Sequence, residues 1–80
     1  MIRVVAFARV RELLGFSERE FSLSDVPTVA VLRSRLEEFA PGLVALRDST
    51  RVARNGNIVD DHAALAEGDE VALLPPVGGG

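Results

Sequence analysis

Apolar residues recur with two different periods along this chain, and the switches between them divide it into elements. From Ile2 to Ala8, Ile2, Val4 and Ala6 alternate with Arg3, Val5 and Phe7, which predicts a mostly buried first strand. Arg9 to Leu14 then changes to helical spacing through Val10, Leu13 and Leu14, with Gly15 placed to end a short helix. Alternation returns over Glu18 to Ser24, with Phe21 and Leu23 on one face, and predicts a second strand antiparallel to the first. The strongest helical signal follows. Thr28 is a good N-cap, Val29, Leu32, Leu36 and Phe39 share one face, and Arg33, Arg35, Glu37 and Glu38 fall toward water. Pro41 and Gly42 stop that helix, and Gly42 to Ser49 has no clean period, so it is expected to be a crossover carrying a 3₁₀ turn.

Arg51 to Arg54 and Ile58 to Val59 flank Asn55 and Gly56, a pair that tolerates positive φ and predicts a tight hairpin. Ala63 to Leu65 fits one helical turn, Glu67, Gly68 and Asp69 form a turn signal, and Glu70 to Leu74 is the closing strand. One apolar helix face must cover one sheet face, which makes an α+β two-layer sandwich. A first and last strand paired in parallel at the sheet centre, the β-grasp arrangement, would satisfy both ends of the chain. No repeat or linker divides residues 1–80, so a single domain is expected, with 75–80 as an extended tail.

Composition narrows what such a domain can do. At 80 residues the chain buries only about 60% of its unfolded surface, leaving little room for an enclosed active site, although 48% hydrophobic residues suffice for one core. The net charge of −3 argues against a general nucleic-acid binder, whose affinity comes from neutralising phosphates. No apolar run approaches a membrane span, and the chain begins directly in a strand pattern, so a cytoplasmic protein without membrane association is expected. Cysteine is absent, which removes disulfides, thiolate nucleophiles and cysteine metal sites together. Lysine is absent too, and guanidinium groups do not accept acyl transfer, so only the α-amino group of this chain could.

Side-chain chemistry finds little support in the remaining residues. His62 beside Asp60 and Asp61 resembles a metal or acid/base group, but adjacent residues in a polar turn read better as a cap and solvated loop. Scattered serines and threonines lack a second histidine for a hydrolytic triad, and Gly78, Gly79 and Gly80 are not followed by the helix that a phosphate loop needs. The distinctive group is the carboxylate of Gly80 at the end of Pro75, Pro76, Val77, Gly78, Gly79, Gly80. Prolines stiffen the base of this tail, and an extended segment without side chains can thread a narrow channel. A carboxylate resists substitution until it is activated, for example as a mixed anhydride with AMP.

Three segments carry a resemblance to a known family: "FARVRELLG" over Phe7 to Gly15, "NGNIV" over Asn55 to Val59, and "EGDEVALLPPVGGG" over Glu67 to Gly80. In order and length the chain resembles the small subunits of molybdopterin synthase, which are ubiquitin-like sulfur carriers. The resemblance implies a β-grasp fold and a Gly80 carboxylate that is adenylated by a ubiquitin-activating-like adenylyltransferase using ATP. A sulfur donor protein then converts it to a thiocarboxylate, which gives its sulfur to a cyclic pyranopterin monophosphate inside the large subunit. The chain itself would bind no cofactor or metal, and the catalytic side chains would belong to the large subunit, two copies of each making a heterotetramer. The resemblance also implies partner contacts through Phe7, Arg11, Ile58, Leu74, Pro75, Pro76, Val77 and Gly78, with Gly79 and Gly80 entering the partner's site. Ordinary core packing is the competing reading for Phe7, Ile58 and Leu74. Many members of that family carry aromatic residues where Leu73 and Leu74 stand, and a terminal "VGGG" also occurs in thiamine-pathway sulfur carriers. Those carriers, a ubiquitin-like protein modifier and a passive binding module are the alternatives.

Overall fold

The computed structural model describes residues 1–75. Five strands form one mixed sheet: β1 (Ile2–Ala6), β2 (Glu18–Phe21), β3 (Arg51–Arg54), β4 (Asn57–Val59) and β5 (Glu70–Leu74). They lie in the order β2-β1-β5-β3-β4, with β1 and β5 parallel at the centre and every other pair antiparallel. Helix α1 (Ala8–Leu14) follows β1, α2 (Val29–Phe39) crosses one face, and a 3₁₀ segment (Pro41–Ser49) leads into β3. This is the α+β, β-grasp arrangement expected from the element order.

The sheet's helix side is the core. Ile2 and Val4 of β1, Val71 and Leu73 of β5, and Val52 of β3 are buried against Val29, Leu32 and Leu36 of α2. Thr28 caps α2, its hydroxyl accepting from the Val31 amide at 3.2 Å, which satisfies one donor left over at the helix start. Both hairpin residues have positive φ, Asn55 at 50° and Gly56 at 88°, the combination required by a two-residue turn that matches strand twist.

Several details depart from the expectations. Strand β1 ends at Ala6 because Ala8 takes φ 49°, a left-handed conformation that turns the chain into α1 one residue early. Strand β2 ends at Phe21 because the Ser22 carbonyl accepts from the amides of Asp25 and Val26, closing a turn where Leu23 and Ser24 were expected to continue the ladder. Ala63 to Leu65 forms no helical turn. The Asp60 carboxylate instead accepts from the His62 amide at 2.8 Å, and Ala64 bridges back to Thr28. Arg33 does not face water. Its guanidinium is largely buried, donating to Asp61 Oδ1 at 2.8 Å and to the Arg47 and Thr50 carbonyls at 3.2 and 2.7 Å. This one side chain ties α2 to the 3₁₀ segment and to the loop after β4, and Asp61 is committed to it.

Asp69 fastens the start of β5. Its two oxygens accept from the Ala66 amide and the Asn55 side chain, each at 2.8 Å, and Asn55 in turn accepts from the Glu70 amide at 2.9 Å. The Ala66 hydrogen bond, followed by that of Asn55 and the nearby Arg54 charge, holds the Asp69 carboxyl below its ordinary pKa, against the opposing effect of its burial. A folded-state pKa below the unfolded value of about 3.9 means that the carboxylate stabilises the fold above that pH and loses its effect as pH falls through the folded pKa. Asp69→Ala should therefore cost about 1–3 kcal/mol at neutral pH. In urea denaturation the gap between wild type and variant should narrow once the pH drops below the folded pKa, whereas an equal gap at both pH values would show that the charge contributes nothing.

Candidate functional site

Alternation along β5 separates its two faces. Val71 and Leu73 lie under α2, while Glu70, Ala72 and Leu74 are half-buried on the face that no helix covers. Strand register then shows what shares that open face. Ala72 stands opposite Val5 of β1 and Ala53 of β3, and Ala53 stands opposite Ile58 of β4, which gives an apolar row across four strands. One step nearer the C-terminal end of β5, Leu74 stands opposite Arg51. Phe7 follows directly on the Ala6–Leu73 pair, so it lies level with Leu74 on the other side. Its extended φ of −130° and the left-handed Ala8 after it keep Phe7 out of the core.

Exposure decides between packing and contact roles for these residues. Phe7 is 46% exposed and Ile58 55%, so neither is a core residue, and Leu74 is half-buried. The three residues expected to form an apolar patch are therefore brought onto one face at the end of the central strand from which the chain runs on into Pro75. Arg11 is exposed on α1, just past this end of the sheet, and its carbonyl accepts the Gly15 amide that ends the helix. Pro75 is half-buried and is the last described residue. The expected roles of Pro76, Val77, Gly78, Gly79 and Gly80 lie outside the described residues.

The face is electrostatically divided. At its far end Arg3 pairs with Glu70 and, at 3.4 Å, with Glu18, and Glu70 first and Glu18 second raise the guanidinium's pKa further. That end is charge-compensated. At the tail end Arg51 is exposed and has no ion-pair partner among the described residues. Arg51 was missed as a site residue because only register places it beside Leu74. Next to Ile58, an open cleft of about 640 Å³ is lined by Arg47, Arg51, Asp61 and His62 among others. Among the described residues no group of three histidine, cysteine or carboxylate side chains is disposed to hold a metal. No helix among them is long and apolar enough to cross a membrane.

Comparison with known proteins agrees with this geometry. The ThiS family model matches residues 4–80. The molybdopterin synthase sulfur carrier subunit of Escherichia coli (strain K12) is 42% identical, with all of both chains covered. Among solved structures, the complex of subunits 1 and 2 of molybdopterin-converting factor from Helicobacter pylori 26695 contains a chain that superposes with a TM-score of 0.72 at 28% identity, covering 99% of this chain and 97% of that one. The small archaeal modifier protein 1 from Methanosarcina acetivorans superposes with a TM-score of 0.84 at 26% identity, covering 99% and 95%. With the family model spanning nearly its whole length and its sheet arranged as in these relatives, the chain belongs to the ThiS family.

Proposed function

We propose that the chain is the sulfur carrier subunit of a molybdopterin synthase. The observation that carries this reading is the end-to-end similarity to the Escherichia coli carrier subunit, supported by an uncovered apolar face beside the exit of the central strand. The Helicobacter pylori complex of subunits 1 and 2 supports a large subunit as the chain's partner. Phe7, Ile58 and Leu74 dock on the large subunit, with Arg11 and Arg51 at the rim, and Pro75 to Gly78 lead the tail into it.

The chemistry of the tail follows from what a carboxylate needs. Attack of the Gly80 carboxylate on ATP, held by an adenylyltransferase, forms the acyl-adenylate and releases pyrophosphate. Sulfur at the sulfide level, supplied by a donor protein, then attacks the acyl carbon, displaces AMP and leaves a thiocarboxylate. The chain binds no cofactor in this scheme, ATP is consumed on the activating enzyme, and catalytic side chains reside on the large subunit. The working assembly is a heterotetramer with two copies of each subunit. The fold supplies the grip, and the tail supplies the reagent.

Reconstitution tests this reading. The chain, loaded with sulfur and mixed with a molybdopterin-synthase large subunit and the cyclic pyranopterin monophosphate, should yield the dithiolene product. A loaded chain that binds the large subunit but transfers no sulfur would overturn the assignment. The similarity to small archaeal modifier protein 1 motivates a second reading, attachment of the same activated tail to protein amines. That reading requires higher-mass conjugates in cell extract that vanish when Gly80 is deleted. Because the chain contains no lysine, any such conjugate could not be extended through its own side chains.

A further inference from the structure

At the edge of the sheet opposite β4, strand β2 borders a groove that lies apart from Phe7, Ile58 and Leu74. The groove, of about 440 Å³, runs between β2 and α2, with Phe21, Leu36 and Phe39 as its apolar surface. Its charged lining is Arg19, Arg35, Asp25 and Glu38, of which Arg35 and Asp25 pair at 3.7 Å, so Arg19 is the cation left to a ligand. Phe39 is 55% exposed, although its helical position places it with the core residues Val29, Leu32 and Leu36. It leaves the core to join an aromatic group, its ring 6.3 Å from that of Phe16. The Arg19 guanidinium lies over three rings at once, 5.0 Å from Phe39, 5.4 Å from Phe21 and 5.9 Å from Phe16. Such stacking preorients the cation without neutralising it, and Arg19 has no ion-pair partner among the described residues.

The backbone beside this groove has open valences. Ala6 donates to Ser17 at 2.9 Å, which fixes Ala6 and Ser17 as a hydrogen-bonded pair of the β1–β2 ladder. Alternation then makes Arg19 and Phe21 the residues bonded to β1 and turns the N–H and C=O groups of Glu18 and Glu20 outward. Register also sorts the side chains. Arg19 and Phe21 stand opposite the core residues Val4 and Ile2, so they lie on the helix side, and Glu18 and Glu20 lie on the open side.

We propose that β2 accepts an extended segment of a partner protein as a sixth strand, one that places an acidic and an apolar residue on the helix side and basic residues on the open side. The acidic residue pairs with Arg19 and the apolar one covers Phe21 and Phe39. The basic residues stand opposite Glu18 and Glu20, the second of which has no ion-pair partner among the described residues. A second copy of this chain does not fit. Antiparallel self-pairing through the outward groups of Glu18 and Glu20 must set glutamate against glutamate, and like charges directly opposite are destabilising. Complementary charge therefore selects a different chain. This edge lies across the sheet from Ile58, so the sixth strand and the large subunit can bind together.

Titration of the isotopically labelled chain with a short peptide alternating lysine with valine and glutamate tests the proposal. Amide shifts should change at Glu18 to Phe21 and at Phe39, and the Glu20 amide should become protected from exchange. Arg19→Glu should weaken binding about tenfold, a loss of about 1.4 kcal/mol. A peptide with glutamate in place of each lysine should bind at least as much more weakly than the first, and melting curves check that the variant is folded. Shifts that fall on Phe7, Ile58 and Leu74 instead, equal binding of both peptides, or concentration-dependent shifts at β2 without peptide would each overturn it.

Discussion

Removal of Gly80 alone should abolish sulfur transfer while leaving the melting temperature where it is. Each extended residue contributes about 3.3–3.6 Å of reach, and reacting atoms must come within about 3–3.5 Å of each other. A chain shortened by one residue therefore ends a whole contact distance short of a site built for the full tail. Nothing in the described core is disturbed, since the buried residues end with Leu73. Product formed by the reconstituted synthase should fall by several orders of magnitude, with binding of the large subunit retained because Phe7, Ile58 and Leu74 are unchanged. Undiminished turnover by a stably folded truncated chain would refute the threaded tail.

Ile58→Asp and Leu74→Asp should separate the chain from its large subunit without unfolding it. A handful of buried apolar anchors carries most of an interface's affinity, and a charge buried without a partner adds its desolvation cost. A loss of about 2 kcal/mol or more is expected for each, roughly thirtyfold in Kd. Ile58 is more than half exposed and lies on an edge strand, so its substitution should cost the fold under about 1 kcal/mol. Val44→Asp is the control. Val44 is 59% exposed but belongs to the 3₁₀ segment away from the open face, and its substitution should leave the affinity unchanged. Titration calorimetry with the large subunit would distinguish the three, and equal Kd values would show that the open face is not the docking surface.

Local rules were legible in the residues, and relations between distant segments were not. The period-two pattern of Ile2 to Ala6 and the Thr28 cap are nearest-neighbour effects, and both appear in the structure. Helical period assigned Phe39 to the core, but period fixes only an angle around the axis. How far the sheet extends beneath α2 decides whether that angle is covered, and Phe39 lies past the cover among Phe16, Phe21 and Arg19. Arg33 failed in the opposite sense: its partners Arg47, Thr50 and Asp61 are remote in sequence, so nothing local predicts its burial. The candidate site divides along the same line. Resemblance named Phe7, Ile58 and Leu74, but only the β1–β5–β3–β4 register shows that they share a face with Arg51.

Intact-mass analysis of the chain decides whether Gly80 carries activated sulfur. After incubation with ATP, the adenylyltransferase and a sulfur donor, the mass should rise by the exchange of one oxygen for sulfur, and fragmentation should localise the change to Gly80. A chain whose mass is unaltered, or whose added sulfur lies on any residue other than Gly80, would rule out Gly80 as the sulfur carrier.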